Sequence, residues 1–158
     1  MLDKTQYLTK EGMQALEERL EEFIQVKRPE VAERLKRALE DGGELTENTE
    51  YEDAKNEQAF IEAEIARMTL ILRNAQLIDE NKLTNDCVQI GSRVVIVEAG
   101  TKEQEEYQVV GSAEANPLIG KISDESPLGK ALLGKKIGDK VTVHAPAGET
   151  VFTIKKIW

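Results

Sequence analysis

Residues 51–75, YEDAKNEQAFIEAEIARMTLILRNA, place Tyr51, Ala54, Gln58, Ile61, Ile65, Met68, Leu72 and Ala75 at spacings that alternate between three and four. That pattern is the seam of a coiled-coil helix, and it requires a partner helix on which the seam can be buried. The preceding residues supply one: Met13, Leu16, Leu20 and Phe23 or Ile24 begin an apolar stripe that resumes at Val31, Leu35 and Ala38. Its phase slips around Lys27-Arg28-Pro29-Glu30. Pro29 has no amide donor and its ring crowds the preceding turn, so a kink or an altered supercoil is expected there. Thr9 is the expected N-cap of the first helix, the Gly42-Gly43 pair its stop, and Thr46 or Asn48 the cap of the second. So short a connection makes the helices antiparallel neighbours, and residues 10–40 form a rod of about 45 Å.

Past a polar stretch at 78–87, which reads as a linker, the period changes to that of strands, expected at 88–90, 94–97, 107–110, 119–122, 141–143 and 151–154. Residues 127–133 form a short helix with Pro127 in its first turn and Ser126 as its cap. The expected fold is therefore α+β. Residues 1–79 form an antiparallel coiled-coil hairpin with an acidic tip at 41–48, and residues 80–158 a small antiparallel sheet with one short helix.

Composition excludes several classes of function. Among 158 residues, 4% are aromatic and 32% charged, which favours long helices over an all-β sandwich. No apolar run approaches the ~20 residues that span a bilayer, and the start has no signal-peptide core, so a cytoplasmic location and no membrane partner are expected. A single cysteine, Cys87, and a single histidine, His144, exclude an internal disulfide and a multi-histidine metal centre. The net charge of -9 is concentrated: Glu40, Asp41, Glu44, Glu47, Glu50, Glu52 and Asp53 fall within residues 40–53 with no base among them.

Glu44 and Glu47, three apart at the turn into the second helix, can bring two carboxylates together beyond the hairpin's end. Hard cations such as Mg²⁺ take oxygen ligands, and one or two carboxylates suffice when a phosphate supplies the rest. With no third ligand, phosphate clamp or pocket nearby, this is half of a site, and a second macromolecule must complete it. A solvated helix face is the plainer alternative for such a run. Lys27, Arg28, Arg34, Lys36 and Arg37 form a basic stretch below the tip, suited either to RNA phosphates or to acids such as Glu30 and Glu33 one turn away. His144 is expected on an exposed strand position, Cys87 as a bystander, and Trp158 packed against the sheet.

Several motifs in order resemble the Gre family of bacterial transcript-cleavage factors: Leu8-Thr9-Lys10-Glu11-Gly12, Lys27-Arg28-Pro29-Glu30, Glu47-Asn48-Thr49-Glu50-Tyr51 with Ala54-Lys55-Asn56-Glu57-Gln58, Asn74-Ala75-Gln76-Leu77-Ile78, and Ser126-Pro127-Leu128-Gly129-Lys130-Ala131-Leu132-Leu133-Gly134. The resemblance implies a coiled-coil hairpin joined to an FKBP-like domain, and bacterial RNA polymerase as partner. It implies that the globular domain docks on the polymerase through Ser126, Pro127 and Leu128 while the tip enters the secondary channel near the 3′ end of the nascent RNA. There Glu44 and Glu47, matching the family's Asp and Glu, would help hold a Mg²⁺ shared with the polymerase active site, which itself cleaves backtracked RNA. The protein is then a cofactor of the polymerase's nuclease activity, with no cofactor of its own, and a monomer. The family usually has one Gly followed by Asp where this chain has Gly42-Gly43-Glu44, and Asp41 is a second candidate for the first ligand. That departure leaves a second function open, a homologue that blocks the channel without promoting cleavage. A prolyl isomerase or chaperone is a third, against which stand only Tyr107, Phe152 and Trp158 as aromatics for a prolyl pocket.

Overall fold

The seam of 51–75 folds as a helix, α3 (Thr49–Arg73), whose buried residues Ala54, Ile61, Ile65 and Met68 all belong to that seam. Ala75 does not continue it. Asn74 caps the helix and Ala75 opens a strand. The computed structural model describes residues 5–41, with Asp41 lacking a described side chain, and 48–158.

The partner arm comes in three pieces: α1 (Lys10–Glu22), a π-helical turn (Phe23–Lys27) and α2 (Arg28–Asp41). Phe23, Val31 and Leu35 are buried against Ala54, Ile61, Ile65 and Met68 in one apolar cluster, with Leu16, Leu20, Ile24 and Tyr51 half-buried around it; Ala38 is buried as well. Arg28 pairs with Glu62, Arg34 with Glu57, and Ala38 is bonded by Asn48, so partners descend along α3 as they ascend along α2, an antiparallel hairpin. The expected kink is the π turn. The Arg28 amide donates to the Phe23 carbonyl five residues back, immediately ahead of the donor-less Pro29. Thr9 caps α1, accepting the Gly12 amide at 3.0 Å on its hydroxyl.

Contacts divide the chain into two compact units: residues up to Gly12 together with Ala75–Trp158, and Met13–Asn74. The first residues of the chain join the sheet unit through a strand pair that the hydrophobic pattern did not reveal. The strand β1 (Gln6–Leu8) runs parallel to β2 (Ala75–Leu77), with Gln6 opposite Ala75 and Leu8 opposite Leu77. The Thr9 amide and hydroxyl also donate to the carboxylate of Glu114.

The remaining strands form one sheet in the order β5 (Lys121–Ser123), β4 (Gln104–Val110), β3 (Arg93–Glu98), β7 (Gly148–Ile157), β6 (Lys140–Ala145). Its pairs are antiparallel except β4 with β5, which run parallel, so the sheet is mixed at that edge. Val94, Ile96, Val109, Ile122, Val141 and Ile154 fill the core together with Leu132 of α4 (Pro127–Leu132).

Two expected strands change. Residues 88–90 are not a strand: Val88 is buried, but its amide and carbonyl bond Lys135 and Gly134 beyond α4. The strand expected at 119–122 begins only at Lys121, because Pro117–Ile119 winds into a 3₁₀ turn that ends on Gly120 at φ 76°. Within the polar stretch after β2, Glu80–Lys82 forms another 3₁₀ turn, capped by Asp79.

Candidate functional site

Glu44 and Glu47, with Gly42 and Gly43, lie outside the described residues. What the structure supplies is the frame on either side of them. On one side α2 ends at Asp41, and on the other α3 starts at Thr49. Asn48 joins the two. Its side-chain oxygen accepts the Tyr51 amide at 3.1 Å, its side-chain nitrogen donates to the Ala38 carbonyl at 2.7 Å, and its own carbonyl accepts the Glu52 amide at 3.1 Å. Asn48 is only 7% exposed. Ala38, whose carbonyl it bonds, and Ala54 on α3 are both buried, small residues that let the arms approach. The polar groups that helix ends leave open are thus partly satisfied across the hairpin instead of by water.

The acidic segment continues onto α3 as Glu50 and Glu52, which favour the positive end of the helix dipole. Glu50 and Asp53 face Arg34 and Arg37 across a cleft of about 290 Å³ floored by Ala38. Among the described residues no cluster of three His, Cys, Asp or Glu side chains could hold a metal ion. A pair of Glu carboxylates is a hard-oxygen donor set suited to Mg²⁺ but short of a complete coordination shell.

The basic stretch is engaged within the hairpin. Arg28 donates two bonds of 2.8 Å to Glu62, which hold its guanidinium above its already high ordinary pKa. Arg34 pairs with Glu57, and Arg37 with Glu33 at 3.3 Å. Lys27 stands 5.5 Å from the Phe23 ring centre, and Arg19 5.0 Å from it. Lys36 alone of the five has no such partner among the described residues. Of the acids one turn away, Glu33 is used and Glu30 is not; Glu57 and Glu62, which sequence spacing cannot bring into view, come from the opposite arm. Any RNA contact by these guanidinium groups competes with an existing ion pair.

In the other unit, the Ser126 hydroxyl accepts the Gly129 amide at 3.0 Å and donates to the Ser123 carbonyl at 2.6 Å. Pro127 is exposed in the first turn of α4, and Leu128 is half-buried against the sheet core. Ser126-Pro127-Leu128 is therefore a rigid corner with its apolar ring outward. His144 lies on an exposed face of β6, 3.1 Å from Glu149. Cys87 is half-buried and free. Trp158 is 42% exposed under Lys156, less covered than expected. Burial, with a hydrogen bond to Glu105, raises the Tyr107 hydroxyl above its ordinary pKa.

Both halves of the chain match family models. The one described as the N-terminal domain of transcription elongation factors covers residues 6–77, and the GreA/GreB C-terminal one covers 83–158. Transcription elongation factor GreA of Thermoanaerobacter pseudethanolicus is 54% identical over 147 residues, 93% of each chain. GreA of Caldanaerobacter subterraneus subsp. tengcongensis is 51% identical over 156 residues, 99% of each. Among solved structures, the GreA factor homolog Gfh1 of Thermus thermophilus is 34% identical, covers 98% of this chain and 99% of its own, and superposes with a TM-score of 0.46.

Proposed function

Since the chain belongs to the GreA/GreB family of transcription elongation factors, we propose that it binds bacterial RNA polymerase and inserts its hairpin tip into the secondary channel. There it stimulates the polymerase's own Mg²⁺-dependent cleavage of backtracked RNA. The observation that supports this reading is the antiparallel pairing of α2 and α3 in a chain matched over both halves, with Glu44 and Glu47 falling in sequence between Asp41, where α2 ends, and Thr49, where α3 starts.

Glu44 and Glu47 would contribute carboxylate oxygens to a Mg²⁺ shared with the polymerase, leaving its remaining positions for water, RNA phosphate and the polymerase's ligands. Bound there, that ion would help activate water for in-line attack on the RNA phosphodiester and stabilise the leaving oxygen. A carboxylate in this position also accepts a hydrogen bond from the attacking water and orients it. The chain supplies half a site and no nuclease activity alone. Ser126, Pro127 and Leu128 would form the docking corner in the sheet unit. Lys36, unpaired among the described basic residues, is the readiest RNA contact. The site of action is then cytoplasmic, and one copy per polymerase suffices.

The test uses halted, backtracked elongation complexes with 5′-labelled RNA and Mg²⁺. Wild-type protein should shorten the transcript, and the Glu44→Ala/Glu47→Ala variant should bind as well yet leave it at full length. Equal shortening by the variant would remove the assigned role. Binding without shortening by wild type would favour the channel-blocking function.

A further inference from the structure

We infer that Asn48 is a positioning residue for the acidic tip, tying α2 to α3 through both ends of its side-chain amide; this rests on the cleavage function proposed above. A helix N-cap needs only an acceptor, and Asp, Ser or Thr supplies one as well as Asn does. The cap acceptor here is the Asn48 side-chain oxygen, bonded to Tyr51. Its side-chain nitrogen makes a second and shorter bond, 2.7 Å, to the Ala38 carbonyl on the other arm. Asp has no donor at that position, and Ser and Thr have no second group to reach so far. The second bond explains why the position holds an amide.

The bond lies at the mouth of the acidic segment. Ala38 is in the last turn of α2, whose final carbonyls have no partner within their own helix. Tyr51 is in the first turn of α3, where the amides are open in the same way. One buried side chain answers both needs, which fixes the separation and relative rotation of the two ends between which residues 42–47 are strung. Glu47 directly precedes Asn48 in the sequence, so the anchored residue adjoins the second candidate ligand. Two carboxylates that complete a metal site from outside must arrive in a defined geometry, and a displacement of about 1 Å can cost 10²-fold in rate.

The test is Asn48→Ser, which keeps the cap and removes the cross-arm donor, with Asn48→Asp as a second variant that retains the shape of the side chain. Helix content by circular dichroism establishes that each hairpin is folded. In backtracked complexes the factor is titrated at saturating Mg²⁺, and Mg²⁺ is then titrated at saturating factor. The expected result is a fall of about tenfold or more in the maximal stimulated rate, and a higher Mg²⁺ midpoint. The factor concentration at half-saturation should stay within about twofold of wild type. A purely structural role would instead weaken the factor's binding and leave the Mg²⁺ midpoint in place, and that outcome overturns the inference. So does a folded Asn48→Ser protein with wild-type rate and midpoint. Failure of wild-type protein to stimulate cleavage would overturn the functional reading itself, and is distinguishable because it appears before any substitution is made.

Discussion

Replacing Thr9 by Val should destabilise the unit that contains the sheet by about 3 kcal/mol, although the two side chains have nearly the same shape. Thr9 is almost fully buried. Its hydroxyl accepts the Gly12 amide as the cap of α1 and donates to the carboxylate of Glu114, whose side chain is 5% exposed. Loss of the cap costs about 1 kcal/mol, and loss of a hydrogen bond to a charged acceptor about 1.5–3 kcal/mol. Glu114 keeps the Thr9 amide and Lys121 at 3.2 Å, which holds the total to the lower part of the range. The assay is urea unfolding followed by fluorescence of Trp158, the single tryptophan, whose backbone is bonded twice to Arg93 of the same unit. At a slope of ~2 kcal/mol per molar, the midpoint should fall by about 1.5 M with the slope unchanged. Glu114→Gln, and the double variant with Thr9→Val, should show a coupling of about 1 kcal/mol or more. Thr101→Val, on an exposed turn, should stay within ~0.5 kcal/mol of wild type. A Thr9→Val protein as stable as that control would refute the account of the clasp.

Gly129→Ala should cost about 1–3 kcal/mol by the same assay, because a Cβ there collides with the Ser123 carbonyl and crowds the Ser126 hydroxyl; unchanged stability would show that the first turn of α4 can give way. The Glu64 carboxyl, held below its ordinary pKa first by its hydrogen bonds from Arg67 at 2.8 and 3.2 Å, should titrate below the ordinary carboxylate range by NMR and move up in Arg67→Ala. Since the folded value is the lower one, its contribution to stability is present above the unfolded pKa and is lost as pH falls through the folded one; an unmoved midpoint would discount the pair.

Local patterns carried most of the fold. The seam at 51–75 gave α3 and the identity of its buried residues, and the caps Thr9, Asn48 and Ser126 follow from side-chain chemistry within three residues of each helix start. What escaped were features made by distant chain. The three residues of β1 have no usable period, and they become a strand only because Ala75–Leu77 lies alongside. Val88 looks like strand because it is apolar, and it is buried in the sheet core, yet its backbone hydrogen bonds go to the segment after α4 instead of to a neighbouring strand. For the candidate site, the acidic run and the cap at Asn48 are visible in the sequence. The second bond of Asn48 and the cross-arm pairs of Arg28 and Arg34 are not, since each depends on the register between arms.

That register also accounts for the π turn. From Leu16, Leu20, Phe23 and Lys27, alternate spacings of three and four would continue to residues 30, 34 and 37, but the buried residues are Val31, Leu35 and Ala38, each one position later. The seam of α3 opposite runs from Tyr51 to Leu72 without any such slip. The first arm therefore carries one residue more than the second over the length they share. A turn closed by a bond five residues back takes up that residue, and the Arg28 amide on the Phe23 carbonyl is such a bond. Pro29 belongs there for a related reason. The carbonyl four residues before it cannot receive its missing amide in any helix, and a widened turn is where a helix accommodates the ring. Below the slip Phe23 faces α3, and above it Val31 does. Without the extra residue's absorption, one half of the first arm would turn its apolar stripe away from the seam, and the frame that Asn48 closes would not be brought together.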